Sequence, residues 1–166
     1  MRAPAIPAPR ESWTCRMEWI EIALRLLVAT VIGGIFGLNR DLHGKPTGIR
    51  TLGIVGLGSA LVVVACMDLG ASIRGDFNAT SRVIQGVLTG IGFLGAGVIV
   101  RGIRQSRVHG LTTAACTWLV ACLGVVCGFA SWRVIVIAVG LAILILLAGG
   151  PVERFFHQRG FRASDD

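Results

Sequence analysis

The sequence predicts an all-α membrane protein whose five transmembrane helices form one compact domain. Hydrophobic residues make up 54% of the 166-residue chain and charged residues only 15%, whereas soluble domains carry about 25% charged residues. The mean hydropathy is +0.74. Basic residues lie mainly in short segments between long apolar runs, where arginine and lysine set the orientation of membrane helices. The net charge of +7 therefore indicates membrane topology and not a nucleic-acid-binding surface.

Five apolar runs are suited to crossing a bilayer, which takes about 20 residues. In the first run, Glu21 and Arg25 lie four residues apart, so they share a helix face and can pair while Arg25 reaches outwards to water. The last run is rich in Ile, Leu and Val and is the most plainly lipid-facing. The predicted spans are residues 19–38, 51–67, 83–100, a segment within 110–131, and 134–152.

The basic connections set the predicted orientation. Residues 39–50 and 101–109 join spans one to two and three to four, and both carry an excess of Lys and Arg, which places them in the cytoplasm. With five spans, the N-terminus is then outside, and residues 153–166 form a short cytoplasmic tail after the membrane domain of residues 19–152. Residues 1–18 contain no apolar segment of a signal peptide, and we expect them to be disordered or absent from the natural product.

A weak internal repeat predicts how the spans are arranged. Residues 48–51 (GIRT) enter span two as residues 110–113 (GLTT) enter span four. The repeat favours two parallel helical hairpins followed by a fifth helix. Chance similarity between glycine-rich membrane segments is the alternative.

Glycine marks the third span as the predicted centre of the protein. Residues 90–97 hold four glycines within an uncharged run. In a bilayer, glycine either lets a neighbouring helix approach closely or turns backbone carbonyls towards a cavity. Some of these glycines share a face, and a GxxxG pair in the first span offers a partner surface. The predicted helix-packing or cavity-lining residues are Gly33, Gly37, Gly86, Gly90, Gly92, Gly95 and Gly97.

Polar residues near the ends of the spans form a candidate site. Arg40 and Arg50 lie at the predicted cytoplasmic ends of spans one and two, and Arg82 lies at the outer end of span three. These arginines either anchor the helices at the membrane surface or form a polar cluster that binds an anion, a lipid headgroup or a partner. Thr112 and Thr113 join that cluster or cap the start of span four. The candidate cluster is Asn39, Arg40, Arg50, Thr51, Arg82, Thr112 and Thr113.

The sequence carries no pattern of a catalytic or metal site. The five cysteines form no CxxC pair and the three histidines are far apart, which argues against zinc. Spans two to five contain no Asp or Glu, although Mg²⁺ usually needs one or two carboxylates. Lys45 follows a glycine as in a phosphate-binding loop, but Pro46 stands where serine or threonine is required. We therefore expect no enzyme activity, no bound metal and no cofactor.

Several of these motifs occur together in the order and spacing of one family. The segments are GLNRD at 37–41, KPTGIRT at 45–51, GIGFLGAG at 90–97 and GLTTAA at 110–115, with Arg82 and Trp118. Together they closely resemble the MgtC/SapB family of bacterial inner-membrane proteins, over about residues 24–128. The block at 90–97 followed by GLTTAA is a highly specific combination.

The resemblance implies a five-span protein of the bacterial inner membrane that is linked to adaptation to low magnesium or stress, in a family associated with virulence. Members are thought to act on other membrane proteins, such as ATP synthase or a transporter. We therefore expect a non-enzymatic protein of magnesium homeostasis whose partners are the lipid bilayer and other membrane proteins, with a homo-oligomer left open. The alternative is a small ion or solute transporter with a path along the glycine-rich third helix.

The chain departs from the family pattern at two places. Asn39 stands where the family typically has glutamate before the arginine, so no charge-dependent role is carried over to that position. Many members also carry a soluble C-terminal domain of ACT-like type, whereas this chain ends 14 residues after Val152.

Overall fold

The computed structural model describes residues 18–72, 77–100 and 110–160, and these residues form five α-helices without strands. The helices are α1 (Trp19–Leu42), α2 (Ile49–Ser72), α3 (Phe77–Val100), α4 (Leu111–Gly128) and α5 (Trp132–Gly160). The all-α prediction is confirmed, and each predicted span coincides with one helix. The connection 101–109, nearly all of the predicted extension and the end of the predicted tail lie outside the described residues.

Four of the helices contain a segment that is long and apolar enough to cross a membrane, judged by length and composition alone. The segments are Trp19–Leu42, Ile49–Asp68, Asn78–Ile99 and Leu111–Gly128. In α5 the apolar part, Trp132–Ala148, has 17 residues. It is about 26 Å long at a rise of about 1.5 Å per residue, slightly shorter than a hydrocarbon core of about 30 Å. Because α5 continues to Gly160, the predicted tail begins as helix.

Helix α4 lies at the centre of the bundle. It packs against α1, α2, α3 and α5, and 56% of its apolar segment is buried, compared with 11% for α3. The prediction that the glycine-rich third span forms the centre is therefore wrong. Glycine content shows that a helix can be approached closely, but it does not show that a neighbouring helix is there.

Two pairs of consecutive helices pack together, and α2 also packs against α4. Helix α1 packs against α2, and α3 packs against α4, which is the pairing that two successive hairpins require. Arg25, near the start of α1, contacts Gly128 at the end of α4. Arg40, near the end of α1, contacts Thr113 at the start of α4. The first and fourth helices therefore run antiparallel.

Helices α1, α2 and α4 meet at backbone distance through small residues. A β-carbon at Gly56 of α2 would lie 2.6 Å from the carbonyl oxygen of Ala29 in α1. A β-carbon at Gly124 of α4 would lie 2.5 Å from the carbonyl oxygen of Gly56, and one at Gly128 would lie 2.7 Å from Cβ of Val63. Because any side chain would collide there, the three helices can touch only where these positions stay glycine.

The buried core surrounds this junction. Ala29, Ile32 and Phe36 are spaced by three and four residues and lie on one face of α1. Lipid tails are as apolar as these side chains, so close packing and not the exclusion of water holds the core together. The other helices contribute Leu52, Ala60, Val120, Leu123, Cys127, Ile135 and Ala142.

An aspartate holds the short connection between α1 and α2. The Oδ2 of Asp41 accepts a hydrogen bond from the backbone N–H of Ile49 at 3.0 Å, so the carboxylate caps the start of α2. A β-carbon at Gly48 would collide with that carboxylate, so a larger residue there would displace the cap. Gly44 and Thr47 turn the chain with φ angles of 60° and 65°, in the left-handed region. The connection thereby sets the start of α2 beside the end of α1.

Candidate functional site

Helix α1 carries two arginines that are buried inside the bundle, near opposite ends of the helix. Arg25 is 7% exposed and Arg40 is 3% exposed. They lie 15 positions apart, which is about 22 Å along a helix. Charged side chains inside a membrane are costly and usually mark a pairing or functional site. Both arginines contact α4, so the two ends of this central helix are the candidate sites.

Arg25 lies at the C-terminal end of α4. Its Nη1 donates a hydrogen bond to the carbonyl oxygen of Gly128 at 2.7 Å, and its Nη2 pairs with the Glu21 carboxylate. The last carbonyls of a helix have no intrahelical partner, so the arginine supplies the missing donor. The predicted Glu21–Arg25 pair is confirmed. The prediction that Arg25 reaches outwards to water is wrong, because these two partners are available inside the bundle.

Arg40 lies at the N-terminal end of α4. Its Nη2 donates a hydrogen bond to the hydroxyl oxygen of Thr113, which is itself buried. One turn later in α4, the hydroxyl of Thr117 donates a hydrogen bond to the backbone carbonyl oxygen of Thr113 at 2.9 Å. Within the described part of the chain, the Nε of Arg40 has no hydrogen-bond partner and no carboxylate pairs with its guanidinium. Arg40 is therefore a buried cation without a counter-ion among those residues.

Helix α4 begins at a glycine. Gly110 precedes the helix with a φ of 97°, and no side chain of the described residues caps the first turn. A β-carbon at Gly110 would lie 3.0 Å from the carbonyl oxygen of Val98, so the tight entry also favours glycine. The interpretation that Thr112 and Thr113 cap this helix is wrong. Gly110 takes the cap position, and the hydroxyl of Thr113 is bonded to Arg40 instead.

The other residues of the candidate cluster near this end are not joined to Arg40 by a hydrogen bond. Arg50, Thr51 and Thr112 are exposed. The Asn39 side chain is half-buried, and its backbone carbonyl oxygen lies 2.7 Å from Nδ1 of His43. The α1–α2 hairpin therefore does not join Arg40 and Arg50 in one cluster. Arg40 turns inwards to α4, and Arg50 stays on the outside of α2.

Arg82 lies at the opposite end of the bundle from Arg40. Gly110 at the start of α4 approaches Val98 at the end of α3, so α3 runs antiparallel to α4 and begins near the Arg25 end. Arg82 is exposed and is therefore not part of the Arg40 cluster. It lines a polar cavity of about 580 Å³ together with Asn78, Ala79, Ser81 and Gln85.

The predicted packing glycines fall into two groups. Gly33 and Gly37 of α1 pack on the backbone of α2, where a β-carbon would collide with Leu52 and Ile49. The α1 pair is thus not the partner surface of α3. Among the described residues, Gly95 is the α3 glycine that faces a neighbour, since its β-carbon would lie 3.5 Å from Cβ of Ala114 in ordinary contact. The positions where a β-carbon would meet nothing within 4 Å in the described structure are Gly86, Gly90, Gly92 and Gly97.

Sequence reasoning missed the small residues that bring α2 and α4 into contact. Gly124 and Gly128 form a GxxxG pair in α4, the same signal that stands out in α1, and Gly56 with Ala60 forms a small-residue pair in α2. Asp41 was also missed as the cap of α2, because it lies eight residues before the N–H that it accepts from. Its only sequence signal is a carboxylate shortly before a helix start.

The residues of this site suit the recognition of negative charge. Arg40 supplies a buried cation, and the first backbone N–H groups of a helix have no intrahelical acceptor. Cys116 lies beside Arg40 as a free, buried thiol. Across residues 18–72, 77–100 and 110–160, no three His, Cys, Asp or Glu residues form a group that could hold a metal ion.

Comparison with known proteins gives a consistent family assignment. A family model described as the MgtC family matches residues 26–155. SrpB from Synechococcus elongatus is 42% identical, over 86% of this chain and 82% of SrpB. YhiD from Escherichia coli K12, whose name describes it as a proposed magnesium transporter, is 33% identical over 86% of this chain and 63% of YhiD.

MgtC from Salmonella typhimurium LT2 is 35% identical, over 80% of this chain and 53% of MgtC. The chain therefore spans between half and two thirds of the length of YhiD and MgtC. No solved structure matches this chain.

Proposed function

Because this chain belongs to the MgtC family, we propose that it contributes to magnesium homeostasis and to adaptation to low magnesium by contacting other membrane proteins, without catalysing a reaction. The observation that carries the proposal is the family match over residues 26–155. The proposed location is the bacterial inner membrane, with the N-terminus outside and the C-terminus in the cytoplasm. The basic connections support that orientation through the positive-inside rule.

The outer face of α3 supports a role in contacting other membrane proteins. Gly86, Gly90 and Gly97 lie four and seven residues apart on this helix, and nothing described packs against them. Phe93 is 82% exposed. A glycine face of this kind lets a second transmembrane helix approach to backbone distance. The proposed occupant is a transmembrane helix of a partner membrane protein, with ATP synthase and magnesium transporters as the first partners to test.

Transport of Mg²⁺ or another solute is the second candidate function. The name of YhiD favours it, and a path along the open face of α3 is the route that the fold offers. Only 11% of the apolar segment of α3 is buried in the single chain. A transport path along this helix would therefore need another protein chain to enclose its open side. Mg²⁺ also prefers carboxylate oxygens, and α3 contains no acidic residue.

Reconstitution into liposomes separates the two functions. The purified protein alone is expected to give no Mg²⁺ flux, while co-reconstitution with ATP synthase is expected to change the rate of ATP-driven proton pumping. Gly90→Leu should abolish that change, because the leucine side chain would hold a partner helix away. Gly140→Leu is the matched control, since Gly140 of α5 also has nothing within 4 Å. Mg²⁺ flux from the chain alone would favour the transporter instead.

Reporter fusions test the orientation separately. A reporter after Phe161 is expected to be active in the cytoplasm, and one inserted within residues 70–75 is expected to be external. The opposite result would overturn the proposed topology while leaving the fold unchanged.

A further inference from the structure

At the end of the bundle that carries Arg40, no described carboxylate pairs with this buried cation. Arg40 is 3% exposed and its Nε has no partner in the described structure. A buried cation is strongly destabilising unless an anion compensates its charge. The adjacent N-terminus of α4 adds roughly half a positive charge and several backbone N–H groups without intrahelical acceptors. Both features call for an anion at the same place.

The acidic residues near this end do not compensate Arg40. Asp41 follows Arg40 in the chain, but its carboxylate accepts from the N–H of Ile49 at the start of α2. The first turn of α4 contains no acidic residue. Residues 101–109, which lead into α4, contain three arginines and no acid. Lys45 and Arg50 are two further exposed cations.

We propose that an anion carrying a phosphate group binds at the N-terminus of α4, beside the Arg40 guanidinium that contacts Thr113 in the first turn. Leu111 and Thr112 are exposed, and the first backbone N–H groups of a helix have no intrahelical acceptor. The Thr113 hydroxyl oxygen accepts from Arg40, which leaves the hydroxyl hydrogen as a further donor. Phosphate on the N–H groups of a helix N-terminus is a recurring arrangement. The buried guanidinium strengthens it by supplying charge where water is excluded.

The phosphate group has two sources at a membrane surface. One is the headgroup of an anionic phospholipid, and the other is phosphate dissolved in the aqueous phase. The same donors recognise both, so the experiment has to separate them. The full-length chain in nanodiscs allows this, because the lipid composition and the buffer can be varied independently.

Two binding measurements separate the sources. Binding of radiolabelled inorganic phosphate is measured in nanodiscs of phosphatidylcholine, and retention of phosphatidylglycerol against phosphatidylcholine is measured by native mass spectrometry. Phosphate binding in neutral lipid identifies a soluble ligand, whereas selective retention of phosphatidylglycerol identifies a lipid headgroup. The absence of both would overturn the proposal.

Thr112→Asp tests where the anion binds. The new carboxylate lies in the first turn of α4 and is expected to occupy the site, so binding should weaken about tenfold or more. Thermal stability without phosphate should rise, because the carboxylate supplies the missing charge. Thr51→Asp is the matched control, since Thr51 is also exposed and the start of its helix is already capped by Asp41.

Arg40→Met tests the charge beside the site. Methionine keeps much of the side-chain volume, and the variant is expected to lose anion binding without gaining stability from phosphate. Should this variant fail to fold, Thr112→Asp decides the question alone, because its position is exposed. Equal binding in wild type, Thr112→Asp and Thr51→Asp would overturn the proposal.

Discussion

Helices α3 and α4 are neighbours, and both are rich in small residues, yet they occupy opposite environments. The apolar segment of α4 is the most buried of the four candidate spans and that of α3 is the least buried. In α4, Gly124 and Gly128 meet atoms of α2 at distances that leave no room for a β-carbon. In α3, Gly86, Gly90 and Gly97 meet nothing in the described chain.

The difference shows that a glycine has no fixed structural role until its neighbour is known. A small residue stabilises a membrane bundle only when another backbone lies against it, since the gain comes from van der Waals contact. Without that contact, glycine only weakens the helix by about 1 kcal/mol relative to alanine. Gly124 and Gly128 of α4 are therefore structural, whereas Gly86, Gly90 and Gly97 of α3 are free to take part in contacts with another molecule.

Gly124→Leu, at a packed glycine of α4, should have the largest effect on stability. The new side chain would collide with the carbonyl oxygen of Gly56, which is 2.5 Å from the ideal β-carbon. Overpacking of this kind costs about 1–3 kcal/mol and sometimes more, so we expect a large loss of thermal stability and expression in detergent. Gly90→Leu is the control, and its stability should match wild type. Equal losses in both variants would mean that α3 is also packed against another helix.

Arg25→Met should have the next largest effect, because it removes the donor at the C-terminal end of α4. The Gly128 carbonyl loses its 2.7 Å hydrogen bond, and Glu21 loses its partner. A hydrogen bond from a charged group contributes about 1.5–3 kcal/mol, and the Glu21 part is smaller because that side chain is 45% exposed. Urea unfolding in detergent micelles measures the loss. Arg133→Met, at an exposed position, should change little.

Gly95→Ala should have the smallest effect. It compares a glycine of α3 that faces α4 with glycines of α3 that do not. The added methyl group would lie 3.5 Å from Cβ of Ala114, in ordinary contact, and alanine favours a helix by up to about 1 kcal/mol over glycine. We expect a slight rise in melting temperature. Gly90→Ala gains the helix propensity without the contact, so comparing the two variants isolates the contact between α3 and α4. A marked loss at Gly95 would show that the two helices lie closer than the structure describes.

The number and approximate limits of the helices could be predicted from the sequence, because each is an apolar run bounded by charged or turn-forming residues. The i,i+4 pairing of Glu21 with Arg25 was also predictable, since it needs only one helix. The candidate site was predictable in part. Arg40 and Thr113 were both named, but nothing in the sequence indicated that these two residues bond to each other while Arg50 and Arg82 lie elsewhere.

Two arginines of similar sequence context illustrate why the rest could not be predicted. Arg40 and Arg50 both lie at helix ends beside glycine-containing segments, and both have side chains long enough to reach water. Arg40 is buried because α4 crosses α1 at that level and presents Thr113 to it. Arg50, at the start of α2, is exposed. Only the path of a helix more than 60 residues later in the chain separates the two cases.

By itself, the sequence determined that the chain forms helices in a membrane, because a backbone in lipid has to satisfy its own hydrogen bonds and long apolar runs can do so only as helices. It also determined family membership, through the glycine block and the GLTTAA segment. The tertiary structure alone decided which helix is central, which glycines touch another backbone and which buried arginine has no carboxylate partner among the described residues. These properties depend on distances between residues far apart in the chain, and the apolar pattern of a membrane helix is nearly the same whether a neighbouring helix or a lipid tail covers it.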